Sequence, residues 1–175
     1  RNGETQAGMA DYIDHMPVAV QRQAKAAWSA ISSPEDDAAY KGAFDQITDT
    51  LQRMKDRGIF IVFGTDMGGA LTLHRELELY QNIGFTPAEI LARATLEEAS
   101  YMGLGDTLGS IEPGKQADFL LVPGNPVEDL KAIKTIRLVS KGDTVYFPSE
   151  IYPYFGIRPF TDIPAVQAPA AADPE

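Results

Sequence analysis

Few side chains in this sequence can do chemistry, and Asp66 is the foremost of them. It stands three residues beyond the apolar run Ile-Phe-Ile-Val-Phe at 59–63, and the glycines of Met-Gly-Gly at 67–69 follow it. In open α/β sheets and α/β barrels, functional groups collect at the carboxyl ends of strands. A carboxylate so close to a buried strand needs a metal, a cation or several N–H donors to hold it. It can also simply cap the glycine-rich turn, as aspartates often do. Position alone leaves both readings open. His74 comes next, at the start of the following helical stretch, where the helix dipole disfavours an imidazolium. A neutral ring there serves as a ligand, a substrate contact or a plain structural hydrogen-bond donor. His15 lies in a segment without pattern. The stretch Gly-Gly-Ala-Leu-Thr-Leu-His at 68–74 lacks the Gly-Lys-Ser/Thr of a phosphate loop. No Gly-x-Ser-x-Gly elbow is present. The absence of cysteine removes disulfides, thiolate metal sites and cysteine nucleophiles together.

The elements that must position these residues are readable from their periods. A helix is expected from Pro17, with Val20, Ala24, Ala27, Trp28 and Ile31 at helical spacing. Ser33 reads as the N-cap of the next helix, with Pro34 at its first position and Glu35 and Asp36 in its first turn. Tyr40, Phe44, Ile47, Leu51 and Met54 form one apolar stripe along it, and Gly58 stands where it should stop. The run 59–63 fits a strand buried on both faces. A helix is then expected from Thr72 or Leu73, with Leu73, Leu77 and Tyr80 on one side, ending at Gly84. Thr86-Pro87-Ala88-Glu89 has the form of a capping box, and so does Thr95-Leu96-Glu97-Glu98, with Gly103 ending that helix. After about Gly105 the pattern changes to short strands, including a hairpin around Gly142-Asp143. From about Pro148 the chain is aromatic and proline-rich, and 164–175 reads as a disordered tail.

Composition bounds the partners. The net charge of −10 makes nucleic acid and anionic membranes poor partners. Hydrophobic residues make up 44%, enough for a core. No apolar run approaches the roughly 20 residues of a membrane span. The chain opens Arg-Asn-Gly without a methionine or an apolar leader, which reads as a mature product or a fragment. No internal marker points to a compartment.

Taken in order, "GIFIVFGTD" at 58–66, "LHRELELYQNIGFTPAEILARATLEEASYMGLGDTLGSIEPGKQADFLLVPGNP" at 73–126 and "IRLVSKGDTVYF" at 136–147 resemble the C-terminal part of a metal-dependent amidohydrolase. The likeness is to the imidazolonepropionase-like and Xaa-Pro dipeptidase-like branch and covers about 34–147. It implies an α/β fold: the C-terminal piece of a (β/α)8 barrel, comprising helix 7, strand 8 and helix 8, joined to the C-terminal strands of a small β-sandwich domain. On that reading residues 1–104 belong to the barrel, 105–147 to the sandwich and 148–175 to an extension. Asp66 matches the strand-8 aspartate that binds a divalent metal and accepts a proton from the attacking water, and His74 matches an active-site neighbour that could touch substrate. The implied cofactor is one or two divalent ions, zinc foremost. The implied substrate is a small amide, cyclic amide or dipeptide.

The same resemblance marks what is missing. The family holds its metals with a His-x-His pair, a carboxylated lysine or glutamate and further histidines, whereas this sequence has two histidines and no His-x-His. A complete barrel needs roughly 250 residues. The chain by itself is therefore expected to be inactive, and to need the missing N-terminal barrel portion or copies of itself. The alternatives are a non-catalytic remnant serving as a folding or assembly module, and a small α/β binding domain in which Asp66 caps a turn.

Overall fold

The computed structural model describes residues 3–5, 8–26, 31–66 and 70–165. The expected helical positions Ala27 and Trp28, and all but the first two residues of the expected disordered tail, lie outside them. The first half is helical: α1 (Val18–Gln23), α2 (Pro34–Asp56), α3 (Ala70–Asn82), α4 (Pro87–Ala92) and α5 (Glu98–Tyr101). The second half holds a small sheet of β1 (Phe119–Leu121), β2 (Leu138–Lys141) and β3 (Thr144–Tyr146), then α6 (Pro148–Ile151).

Helix α2 starts as its sequence dictates. The Ser33 hydroxyl accepts the Asp36 N–H, Pro34 fills the first turn, and three acidic residues face the positive end of the dipole. Its 23 residues make a rod about 34 Å long. The apolar stripe is present but only its C-terminal end is used. Leu51 and Met54 pack on the core, while Tyr40, Phe44 and Ile47 face outward. A stripe is buried only where a second layer covers it, and among the described residues none reaches the N-terminal half of α2.

The segment 59–66 departs from expectation. It runs extended, but it forms no ladder with any described strand. Its burial alternates. Ile61 and Phe63 are buried, whereas Ile59, Phe60 and Val62 are 47%, 42% and 45% exposed. Ile61 and Phe63 point into the core, whereas Phe60 and Val62 point away from it and Ile59 lies at the open start of the segment, because a strand is buried on both faces only between two layers.

The core gathers Ile61 and Phe63 with Leu77, Tyr80, Ile83, Phe85, Ile90, Leu130 and Ile133. Phe63 stacks on Tyr80 at 3.7 Å between centroids and meets Phe85 edge-on at 5.9 Å. The buried side of α3 is Leu77 and Tyr80, with Leu73 turned outward and exposed. The helix begins by Ala70, earlier than its sequence suggested.

Both halves of the capping box at Thr86 form: its hydroxyl accepts the Glu89 N–H, and the Glu89 carboxylate accepts the Thr86 N–H at 2.7 Å. Thr86→Ala should therefore lower stability by about 0.5–2 kcal/mol, read as a shift of the urea midpoint at unchanged slope. The second expected box, at Thr95, does not form. Arg93–Glu97 is a π-helical segment continuous with α4 and α5. The Thr95 hydroxyl donates back to the Leu91 carbonyl at 2.6 Å. A threonine inside a continuing helix has no free amides to cap, so its hydroxyl turns to the preceding turn.

The sheet is antiparallel in the order β1-β2-β3. A two-residue turn joins Lys141 to Thr144, with Gly142 at φ +61°. Positive φ at the first turn position is the reason for glycine there. Asp118 ties this turn to β1, accepting the Gly142 N–H at 2.7 Å and pairing with Lys141.

Candidate functional site

Asp66 ends the extended segment with an exposed side chain. Its φ of +46° makes it the single non-glycine residue in the left-handed region among the described residues. Aspartate tolerates this region better than most side chains, but the conformation still has a cost and recurs at functional sites. Two side chains from the opposing helical run hold the segment in place. The Arg93 guanidinium donates to the Ile61 carbonyl at 2.9 Å and lies over the Phe60 ring at 3.9 Å. The Glu98 carboxylate accepts the Phe63 N–H. Ile61 and Phe63 are alternate residues, so their polar groups leave the same edge of the extended chain. Arg93 and Glu98 thus occupy the places of a neighbouring strand on that edge.

Neither Arg93 nor Glu98 belongs to a sequence motif that announces this contact. The available signal was a pair of opposite charges five residues apart within an otherwise apolar helical run. The wider π-helical turn between them is a feature often found beside functional sites.

His74 sits on α3 in a partly buried position. Its Nδ1 is buried without a hydrogen-bond partner among the described residues. Burial pushes the pKa of its imidazole below the ordinary 6.5, the nearby Lys134 ammonium adds to the fall, and Glu78 opposes it. The charges that act on His74 are thus those of Lys134 and Glu78, and Asp66 is not among them. Because the folded state disfavours the proton, the unfolded chain takes it up first as the pH falls. The stability linked to His74 is present above pH about 6.5 and is lost below it. The urea midpoint should decline between pH about 7.5 and 5.5, and His74→Gln should remove most of that slope. A slope unchanged in the variant would assign the decline to other groups.

No group of three or more His, Asp or Glu side chains able to hold a metal ion exists among the described residues. A divalent ion in a catalytic site takes about three protein ligands. Asp66 by itself therefore does not fit a complete metal centre. A groove of about 710 Å³ runs between the 94–102 helical run and the sheet, lined by Leu104, Leu108, Phe119 and Val139 among others. Neither Asp66 nor His74 lines it.

Comparison with known proteins places these features. The model of the amidohydrolase family matches residues 8–145, most of the chain. The chain belongs to the amidohydrolase family. It is 34% identical over 88 residues to the imidazolonepropionase of Pseudomonas putida strain GB-1, covering 45% of this chain and 22% of that protein. It is 36% identical over 76 residues to the imidazolonepropionase of Caldanaerobacter subterraneus subsp. tengcongensis, covering 41% and 18%. Among solved structures, a Xaa-Pro dipeptidase with methionine bound in its active site superposes with a TM-score of 0.55 at 34% identity, covering 59% of this chain and 26% of that one. This amidohydrolase chain spans about a quarter or less of the length of these relatives.

Proposed function

We propose that this amidohydrolase chain supplies one wall, with Asp66, of a site that hydrolyses C–N bonds in small amides, cyclic amides or dipeptides. The observation that carries the reading is Asp66 itself. It is an exposed carboxylate held in a left-handed conformation at the end of an extended segment, inside the stretch that the family model matches. The family assignment and the names of the relatives support the reaction class. On this reading 59–66 is the eighth barrel strand, α2 and α3 are the flanking helices, and β1–β3 belong to the small sandwich domain.

The chemistry of Asp66 is that of a positioned base. A carboxylate fixed at a strand end accepts a proton from a water molecule as that water attacks the carbonyl carbon. It returns the proton to the leaving nitrogen. The family implies a divalent ion in such a site, and the described residues do not form one, so the remaining ligands must come from outside them. His74 is proposed as a neighbour that shapes the substrate side of the site. The exposed apolar side chains of Ile59, Phe60 and Val62 favour cover by a further layer, from the remainder of the barrel or from a second copy.

The test is hydrolysis of an Xaa-Pro dipeptide and a cyclic amide by the product of the whole open reading frame that contains this chain, beside its Asp66→Asn variant. Loss of turnover in the variant supports the reading. Undiminished turnover, or turnover with stoichiometric zinc in residues 1–175 alone, overturns it.

A further inference from the structure

The N-terminal segment carries several contacts that the proposed reaction leaves unused. Tyr12 and Met16 are buried, yet neither belongs to the core cluster built by 61–63, α3, α4 and the 3-10 turn Leu130–Lys134. Ion pairs add to this burial in holding the segment. The Asp11 carboxylate lies 3.1 Å from both the Lys131 and the Lys134 ammonium groups. Lys134 is only 5% exposed and also pairs with Glu78 of α3. Its ammonium stands 5.8 Å over the Tyr12 ring. Hydrogen bonds from Lys131 and then Lys134 hold the Asp11 carboxyl below its usual range.

The two ends of the segment are fastened differently. At one end Gly8 lies flat against Arg75, where any Cβ would collide with the Arg75 side chain, at φ +83°. At the other end His15 stacks on Phe160 at 4.1 Å and nearly parallel. The His15 Nδ1–H donates to the Arg158 carbonyl at 2.8 Å, and the Arg158 N–H donates back to the His15 carbonyl at 2.7 Å. The Arg158 guanidinium closes the pair on Asp14 at 2.6 Å. Residues 8–16 therefore lie against α3 and the Leu130–Lys134 turn, residues 156–160 are bound to 14–15, and the two stretches form one band that no sheet ladder ties to the core.

We propose that this band is a detachable strap: Asp11 latches it onto Lys131 and Lys134, and it leaves the core as a unit when that latch is broken. A latch made of one carboxylate between two ammonium groups weakens with salt at its exposed side and fails when the carboxylate loses its charge. No strap residue belongs to the core cluster. Release uncovers the Lys134 ammonium and the flank of α3 beside His74, so the strap controls access to the helix that follows the Asp66 segment. The inference stands independently of the proposed hydrolytic role.

Hydrogen exchange followed by mass spectrometry on the full chain tests it. In Asp11→Asn, peptides covering 9–16 and 156–160 should exchange at least ~10-fold faster, while peptides covering 77–90 keep their wild-type rates. Arg158→Ala, which loosens the other fastening, should give the same pattern, and raising salt to about 1 M should reproduce part of it in the wild-type chain. Core peptides that accelerate together with the strap in both variants would make the band an integral part of the fold. Unchanged strap rates in Asp11→Asn would show that the ion pairs do not latch it. Either result overturns the proposal.

Discussion

In the product of the whole open reading frame, replacing Asp66 by Asn is expected to lower kcat/KM for C–N bond hydrolysis by about 10²- to 10⁴-fold, the range for loss of a positioned proton acceptor on the proposed reading. Asparagine is the informative substitution. It has the shape of aspartate and tolerates the left-handed backbone at φ +46°, so the turn survives while the base is lost. The stability of the chain should then stay within about 0.5 kcal/mol of wild type, as at other exposed positions. The competing reading, in which Asp66 caps the following turn, gives the opposite pair of results. There Asp66→Ala destabilises by about 0.5–2 kcal/mol and leaves turnover alone. Measuring kcat/KM and the urea midpoint on both variants separates the two, because the proton-acceptor reading requires turnover to fall in each variant whereas the capping reading leaves it unchanged.

Ile90→Ala is expected to destabilise the chain by about 2–5 kcal/mol, the largest stability effect of any single truncation proposed here. Ile90 is fully buried, at 0% exposure, at the point where α4 meets the Phe63–Tyr80–Phe85 cluster. Truncation removes the transfer energy of three methyl or methylene groups and leaves a cavity that aromatic rings, stiff and already stacked, are poorly placed to fill. The exposed side chains of Ile59, Phe60 and Val62 and the uncovered stripe of α2 leave the described residues with a small core. The urea midpoint should therefore fall steeply, and a change below about 1 kcal/mol would mean that the aromatic cluster relaxes into the space. Ile90→Val, which removes one methyl group, should cost only about 0.5–1.5 kcal/mol.

Local signals proved the most legible. The Ser33 cap, the stop at Gly58, the capping box at Thr86 and the hairpin at Gly142 depend on residues within four positions of one another. Such interactions are decided before any tertiary contact forms, so their residue types announce them. Thr95 shows the limit of that logic. The same four-letter pattern that caps α4 sits inside a continuing helix, where the amides that it would cap are already taken.

Non-local relations were less legible. The 59–63 run illustrates this: its apolar residues fit a strand buried on both faces, yet only Ile61 and Phe63 are buried. Apolar character does not by itself give burial, which needs a second layer on the given side. The hold of Arg93 and Glu98 on the 59–66 segment was not legible because their partners are backbone groups thirty or more residues away, and Glu98 reads locally as part of a capping box. His15 had no pattern around it, and its meaning comes from Phe160 and Arg158, far along the chain.

For the site itself, the order of motifs around Asp66 is enough to identify the family, since ordered residue types survive in sequence whatever the chain packs against. The left-handed backbone of Asp66, the two side chains that pin its segment and the separate electrostatic surroundings of His74 were decided only in three dimensions. Each depends on distances between elements far apart in the chain, and packing sets those distances, not the residue types at either end.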